Sequence, residues 1–130
     1  MLGERNVAAT LAVTDVAAAA EFYEATVGLT RVDGGSPDED AILYRSGNSA
    51  VLVYRSEFAG TNQATAASWA VGDEIEAVVA ELKAKGVSFE HYDLPGTTLE
   101  GDIHVLGDFK AAWFKDPDGN ILNLVNQPTM

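Results

Sequence analysis

Apolar and polar positions alternate through "NVAATLAVTDV", residues 6–16, and the period then lengthens. From about Val16 to Val27, the side chains of Val16, Ala19, Ala20, Tyr23 and Val27 fall on one helical face, while Glu21 and Glu24 point away. This predicts a strand handing over to an amphipathic helix. Asp15 is placed to cap the helix start and Gly28 to close its end. Extended segments follow in "LTRVDG", "DAILYRSG" and "NSAVLVYRS". The last two are joined at Ser46-Gly47-Asn48, a hairpin signal.

The same order then recurs. "ASWAVGD" reads as a strand, and "EIEAVVAELKAKG" reads as a helix with Ile75, Val78, Val79 and Leu82 inward. Glu81 and Lys85 are spaced for an i, i+4 pair. Asp73 and Glu76 have capping-box spacing, and Gly86 stops the helix. After "VSFEHYDL" and a polar, Gly-rich stretch come the strands "KAAWFK" and "ILNLVN". Between them Asp116-Pro117-Asp118-Gly119 is a strong turn, because Pro fixes φ and Gly supplies the left-handed position. The expected fold is α+β, with two βαβββ modules whose curved mixed sheets lie side by side around a cleft. A single domain spans 1–130, with module one at about 5–58, module two at about 65–127 and a linker at about 56–66.

Composition narrows the function. The formal charge is 8 − 20 = −12 without a basic cluster. Such a field repels nucleic-acid phosphates and anionic lipid heads and modestly favours cations. With no cysteine, disulfides, thiolate nucleophiles and sulfur-ligated metals are excluded. No apolar run reaches the ~18 residues of a membrane span. These features lead us to expect a soluble, cytoplasmic protein with no nucleic-acid or membrane partner.

The duplicated order, the opening "LAVTDVAAAAEFYEATVGL", the mid-chain "VGDEIEAVVAELKAKGVSF" and the closing "AAWFKDPDGNILNL" resemble the vicinal oxygen chelate superfamily. That group includes glyoxalase I, extradiol dioxygenases, methylmalonyl-CoA epimerases and bleomycin-resistance-type binding proteins. The resemblance implies a homodimer. In metal-dependent members it also implies a divalent ion held in the cleft by His, Gln or Glu. Those ligand positions fall here on Ala8, on Ala67 (or Ala66), near Val53 and on Asn123. Alanine and valine donate nothing, and a neutral amide is a poor ligand for zinc or iron. No metal or other cofactor is therefore expected. His91 and His104 match no ligand spacing, although an imidazole, which titrates near neutrality, would let His104 act as an acid or base.

The expected cleft lining follows from strand alternation and the resemblance together. It comprises Ala8, Thr10 and Ala12, then Val51 and Val53, then Ala67, Trp69 and Val71. Asn123 joins these with Leu122 and Leu124 turned towards a helix. One of Trp113 and Phe114 faces the cleft, and the preference is Trp113. The expected ligand-binding residues are thus Thr10, Val53, Ala67, Trp69, His104, Trp113 and Asn123, with no catalytic residue assigned. Residues 55–67, together with Tyr44, Arg45, Tyr54 and Arg55 on the neighbouring hairpin, could rim the cleft or form a dimer contact. The leading expectation is a metal-free protein that binds an apolar, aromatic or cationic small molecule, similar to bleomycin-resistance-type members. The alternative is a metal-dependent enzyme of glyoxalase (lyase or isomerase) or extradiol dioxygenase type with a non-standard ligand set.

Overall fold

A computed structural model describes residues 1–32 and 40–128. The extended reading at "LTRVDG" runs into residues 33 and 34, which lie outside the described part. The chain divides into two compact units. One comprises Met1–Ala66 with Asp116–Asn120, the other Ala67–Lys115 with Ile121–Met130.

In the first unit, β1 (Ala9–Val13), β2 (Thr30–Arg31), β3 (Ala41–Ser46) and β4 (Ser49–Arg55) form a sheet in the order β1-β4-β3-β2. β1 runs parallel to β4, and β2, β3 and β4 are antiparallel to their neighbours. Between β1 and β2 lies α1 (Val16–Glu21), continued by a π-helical turn at Phe22–Thr26. The Asp15 carboxylate caps it as expected, accepting from the backbone N–H groups of Ala17 (2.9 Å) and Ala18 (3.2 Å). Gly28 ends it at φ 88°, a left-handed conformation that glycine adopts without strain. The helix buries Val16, Ala19, Ala20 and Tyr23. The rings of Tyr23 and Tyr44 lie 6.4 Å apart, so the sheet face carrying Tyr44 is the one against the helix.

In the second unit the sheet order is β5-β10-β9-β8-β7 with β6 also on β9. The strands are β5 (Thr65–Ala70), β6 (Phe89–Glu90), β7 (Thr98–Glu100), β8 (Ile103–Leu106), β9 (Phe109–Lys115) and β10 (Ile121–Val125). The β7–β8 hairpin occupies the stretch expected to be polar and irregular. Leu99, Ile103 and Val105 alternate around a turn at Gly101, whose φ is 64°. A second departure concerns α2 (Ile75–Ala84). The expected Asp73–Glu76 capping box does not form, because Gly72–Glu74 winds a 3-10 turn and the helix starts beyond Asp73. Glu76 instead receives the Lys110 ammonium at 2.6 Å. The Glu81–Lys85 pair is present at 3.8 Å.

Lys110, Ala112 and Phe114 share one face of β9, and the Lys110–Glu76 contact identifies it as the face turned towards α2. Leu122 and Leu124 pair across from Phe114 and Ala112 and belong to that buried layer. Trp113 and Asn123 are paired on the opposite face.

Candidate functional site

The closing "DPDGN" turn is held by a buried carboxylate. Asp116 is 5% exposed and accepts from the Tyr23 hydroxyl (2.7 Å), the Asn120 backbone N–H (2.8 Å), the Asn120 Nδ2 (2.8 Å) and the Asp118 backbone N–H (3.0 Å). Asn120 Nδ2 also donates to the Ala12 carbonyl at 2.7 Å, and Asp118 Oδ1 accepts from the Thr14 hydroxyl at 2.7 Å. Burial first, then the Asp116 charge and hydrogen bond, raise the Tyr23 phenol well above its ordinary range, so it remains a donor. Every polar group here is spent on the fold. The motif that is clearest in the sequence is therefore structural.

The second unit's other sheet face has a different character. His104 pairs with Ala111, and Trp113 with Asn123, which places all four on the side away from α2. The His104 and Trp113 rings meet edge to face at 4.9 Å and 86°. Tyr92 completes the cluster, 5.4 Å from Trp113 and 6.0 Å from His104. Such aromatic contacts stabilise beyond area burial and fix the three rings in one apolar cluster. The Tyr92 backbone N–H donates to His104 Nε2 at 2.9 Å, so the neutral ring carries its proton on Nδ1. Neither that Nδ1 nor the Tyr92 hydroxyl, both buried, has a hydrogen-bond partner among the described residues. Burial first, and then the nearby Glu90 charge, raise the Tyr92 phenol, which therefore stays protonated.

Asn123 is 5% exposed, and its Nδ2 donates to the backbone carbonyls of Ala112 (3.1 Å) and Leu124 (3.3 Å). A hollow of about 290 Å³ lies beside the cluster, lined by Tyr92, Leu94, Thr97 and Leu99, with His91 and Asp93. At its edge His91 Nε2 and Lys83 Nζ hold the Asp102 carboxylate at 2.7 and 2.6 Å. Lys83 first, then His91, keeps that carboxyl below its usual range.

The expected site residues are thus partly assembled. His104, Trp113 and Asn123 share one face of the second unit. Ala67 and Trp69 sit half-buried on β5, next to β10. Thr10 is exposed on the first unit's sheet, on the face away from α1. Val53 is misplaced in the expectation. Its partners are Leu11 and Ile42, it is fully buried, and it lies on the helix-facing side with Val51. Leu52, paired with Thr10 and Leu43, takes the face expected for Val53. Tyr92 was missed, since no spacing signal announces where the chain returns after β6.

The sequence matches the profile of the Glyoxalase/Bleomycin resistance protein/Dioxygenase superfamily over residues 6–124. The chain belongs to this superfamily. No curated protein matches it significantly. Among solved structures, the superfamily chain is similar to the bleomycin-binding protein of bleomycin-producing Streptomyces verticillus in complex with copper(II)-bleomycin. The identity is 24% and the TM-score 0.65, with 92% of this chain and 93% of that one covered. It is also similar to the fosfomycin resistance protein FosX of Listeria monocytogenes complexed with Mn(II) and sulfate (14%, TM-score 0.68, 93% and 88% covered). A third is the lactoylglutathione lyase of Agrobacterium tumefaciens (17%, TM-score 0.67, 93% and 92% covered). At these identities the likeness establishes the fold.

Metal-dependent members of the superfamily hold a divalent ion, and the residues at the corresponding positions do not fit one. Ala8 and Ala67 carry no donor atom. The fourth-strand place is filled by apolar side chains on both faces, Leu52 and Val53. The Asn123 amide donates its N–H groups to the sheet backbone. Among the described residues, no three His, Asp or Glu side chains gather to hold an ion.

Proposed function

We propose that the protein binds a small apolar or aromatic molecule without a metal, on the Tyr92–His104–Trp113 face of its second unit. The observation that carries this reading is that face itself: Trp113 packed edge to face against both Tyr92 and His104, with neutral buried donors at Tyr92 Oη and His104 Nδ1. A ligand with a flat hydrocarbon body and one or two acceptor atoms matches such a surface. The copper(II)-bleomycin complex of a protein with this fold is a precedent for binding rather than turnover. Homodimer formation and a cytoplasmic location belong to the same reading.

The test is a thermal-shift and Trp-fluorescence screen of the purified protein against flat organic compounds, with and without a strong chelator. Stabilisation should survive the chelator, and Trp113→Ala should remove it. Stoichiometric zinc, manganese, iron or nickel in protein purified without added metal would refute the metal-free reading. It would favour an enzyme of the kind represented by FosX or lactoylglutathione lyase.

A further inference from the structure

The first unit has a hollow of its own, about 580 Å³, at the turn between β3 and β4. That volume lies within the range of small-molecule sites. Its walls include Ala8 and Ala50, and its polar groups include Arg45, Asn6 and Asn48. Arg45 projects from β3 opposite Ala50 of β4, on the face away from α1.

Arg45 is unusual in its company. The chain has 8 Lys and Arg against 20 Asp and Glu. Arg31, Arg55, Lys83, Lys85, Lys110 and Lys115 each have a carboxylate within 4 Å. Among the described residues only Arg5, near the start of the chain, and Arg45 do not. Among the described residues, none that lines the hollow is acidic. Asn6 and Asn48 make no side-chain hydrogen bond to the described residues either. A guanidinium and two amides, none with a side-chain partner among the described residues, thus converge with two methyl groups on one concavity, in a protein whose other described cations are largely neutralised in pairs.

We propose that this hollow is a second binding site, one that takes an organic carboxylate. The guanidinium fork receives the carboxylate oxygens in a bidentate pair, the geometry in which Arg outperforms Lys. The Asn6 and Asn48 amides donate to the remaining lone pairs, and the alanine methyls meet the hydrocarbon. The net charge of −12 acts at long range and is screened within about 10 Å at 0.1 M salt. The direct guanidinium contact is therefore the dominant electrostatic term at the site. Every described residue that lines it belongs to the first unit.

The probe is 4-phenylbutyrate, with neutral 4-phenylbutyramide as its isostere, titrated into the ¹⁵N-labelled protein at about 0.1 M salt, where the long-range field of the acidic protein is screened. The carboxylate should shift the Arg45 Nε–H and the backbone amides of Asn48 and Ser49, and bind about ten-fold more tightly than the amide. Arg45→Gln should bring the two affinities together, Arg45→Lys should restore part of the difference, and Arg5→Gln should change nothing. Equal affinities in the wild-type protein would overturn the proposal, and this comparison stands even if a variant folds poorly. So would Arg45→Gln with unaltered carboxylate binding, or shifts confined to the Trp113 indole. That last result would leave the aromatic-face reading intact, whereas loss of all Trp113 responses with the Arg45 effects retained would do the reverse.

Discussion

Replacing Asp116 tests whether the closing turn is a structural clamp. Its carboxylate serves four donors, of which the Tyr23 hydroxyl is fully buried. In Asp116→Ala the part-buried Asp118 backbone N–H can turn to water, but the phenol and the buried Asn120 backbone N–H cannot. An unsatisfied buried hydroxyl costs about 1–3 kcal/mol, and hydrogen bonds to a charged acceptor are worth about 1.5–3 kcal/mol each before compensation. The expected loss is about 3–5 kcal/mol, in line with breaking one side of a buried charged network. Tyr23→Phe keeps the ring, 5.1 Å from Phe22 and 6.4 Å from Tyr44, and deletes a single donor. Asp116 keeps its other three bonds, so the loss should be about 1–2 kcal/mol. Urea unfolding followed by far-UV circular dichroism gives both values, and the double variant gives the coupling, expected at about 1 kcal/mol or more. Against a domain stability of about 5–15 kcal/mol, Asp116→Ala should be visible without refinement. An Asp116→Ala protein within about 1 kcal/mol of wild type, or zero coupling with Tyr23→Phe, would refute the clamp.

Three further outcomes follow from the same geometry. Val53→Glu places a carboxylate in the layer beneath α1 and should cost several kcal/mol or prevent folding, whereas Leu52→Glu, on the opposite face, should leave the melting temperature within a few degrees; the reverse ranking in thermal melts would show the strand faces to be misassigned. Gly60→Ala should lower stability by about 1–3 kcal/mol, since Gly60 has φ 74° and a Cβ there would overlap the Asp118 carbonyl oxygen; a neutral result in chemical denaturation would contradict that approach. The Tyr23 phenol is raised in the folded protein, so its contribution is present below the unfolded value near 10 and is lost as pH rises beyond it. Stability should therefore fall between about pH 10 and 11.5 by up to ~1.4 kcal/mol per pH unit from this group, and Tyr23→Phe should flatten that slope.

Legibility from sequence varied with the kind of signal. Elements marked by a breaker residue were read well, because the marker acts locally: Asp15 and Gly28 bound the first helix, Gly47 turns the hairpin, and Asp116–Gly119 turn the last two strands. The β7–β8 hairpin was lost because Gly96, Gly101 and Gly107 resemble loop composition, although Leu99, Ile103 and Val105 alternate across the Gly101 turn. Asp73 and Glu76 have the spacing of a capping box, but spacing does not say where a helix begins, and a 3-10 turn moved the start to Ile75. For β4, "SAVLVYR" is apolar on both faces, so alternation could not separate Val51 and Val53 from Ala50 and Leu52. Pairing with β3 decides it, through Tyr44 beneath Tyr23. β10 was easier. Asn123 is polar among four apolar neighbours, and its partner Trp113 shares the face turned away from Phe114 and α2.

The two polar amides of the closing segment, Asn120 and Asn123, show why motif and site should be kept apart. Asn120 spends its Nδ2 on Asp116 and the Ala12 carbonyl, within the turn and its seat. Asn123 spends its Nδ2 on the backbone of its own strand and of β9. An Asn123→Asp carboxylate, isosteric with the amide, would lack those N–H donors and would face two backbone carbonyls across about 3 Å, a repulsive arrangement unless a cation lay between. The amide thus lets the aromatic face of the second unit exist without an ion, by satisfying carbonyls that a carboxylate would confront. What remains for chemistry is ring surface with neutral donors buried beside it in the second unit, and a guanidinium without a partner among the described residues in the first. Under the two proposals, both groups meet an acceptor-bearing organic molecule by contact rather than by coordination.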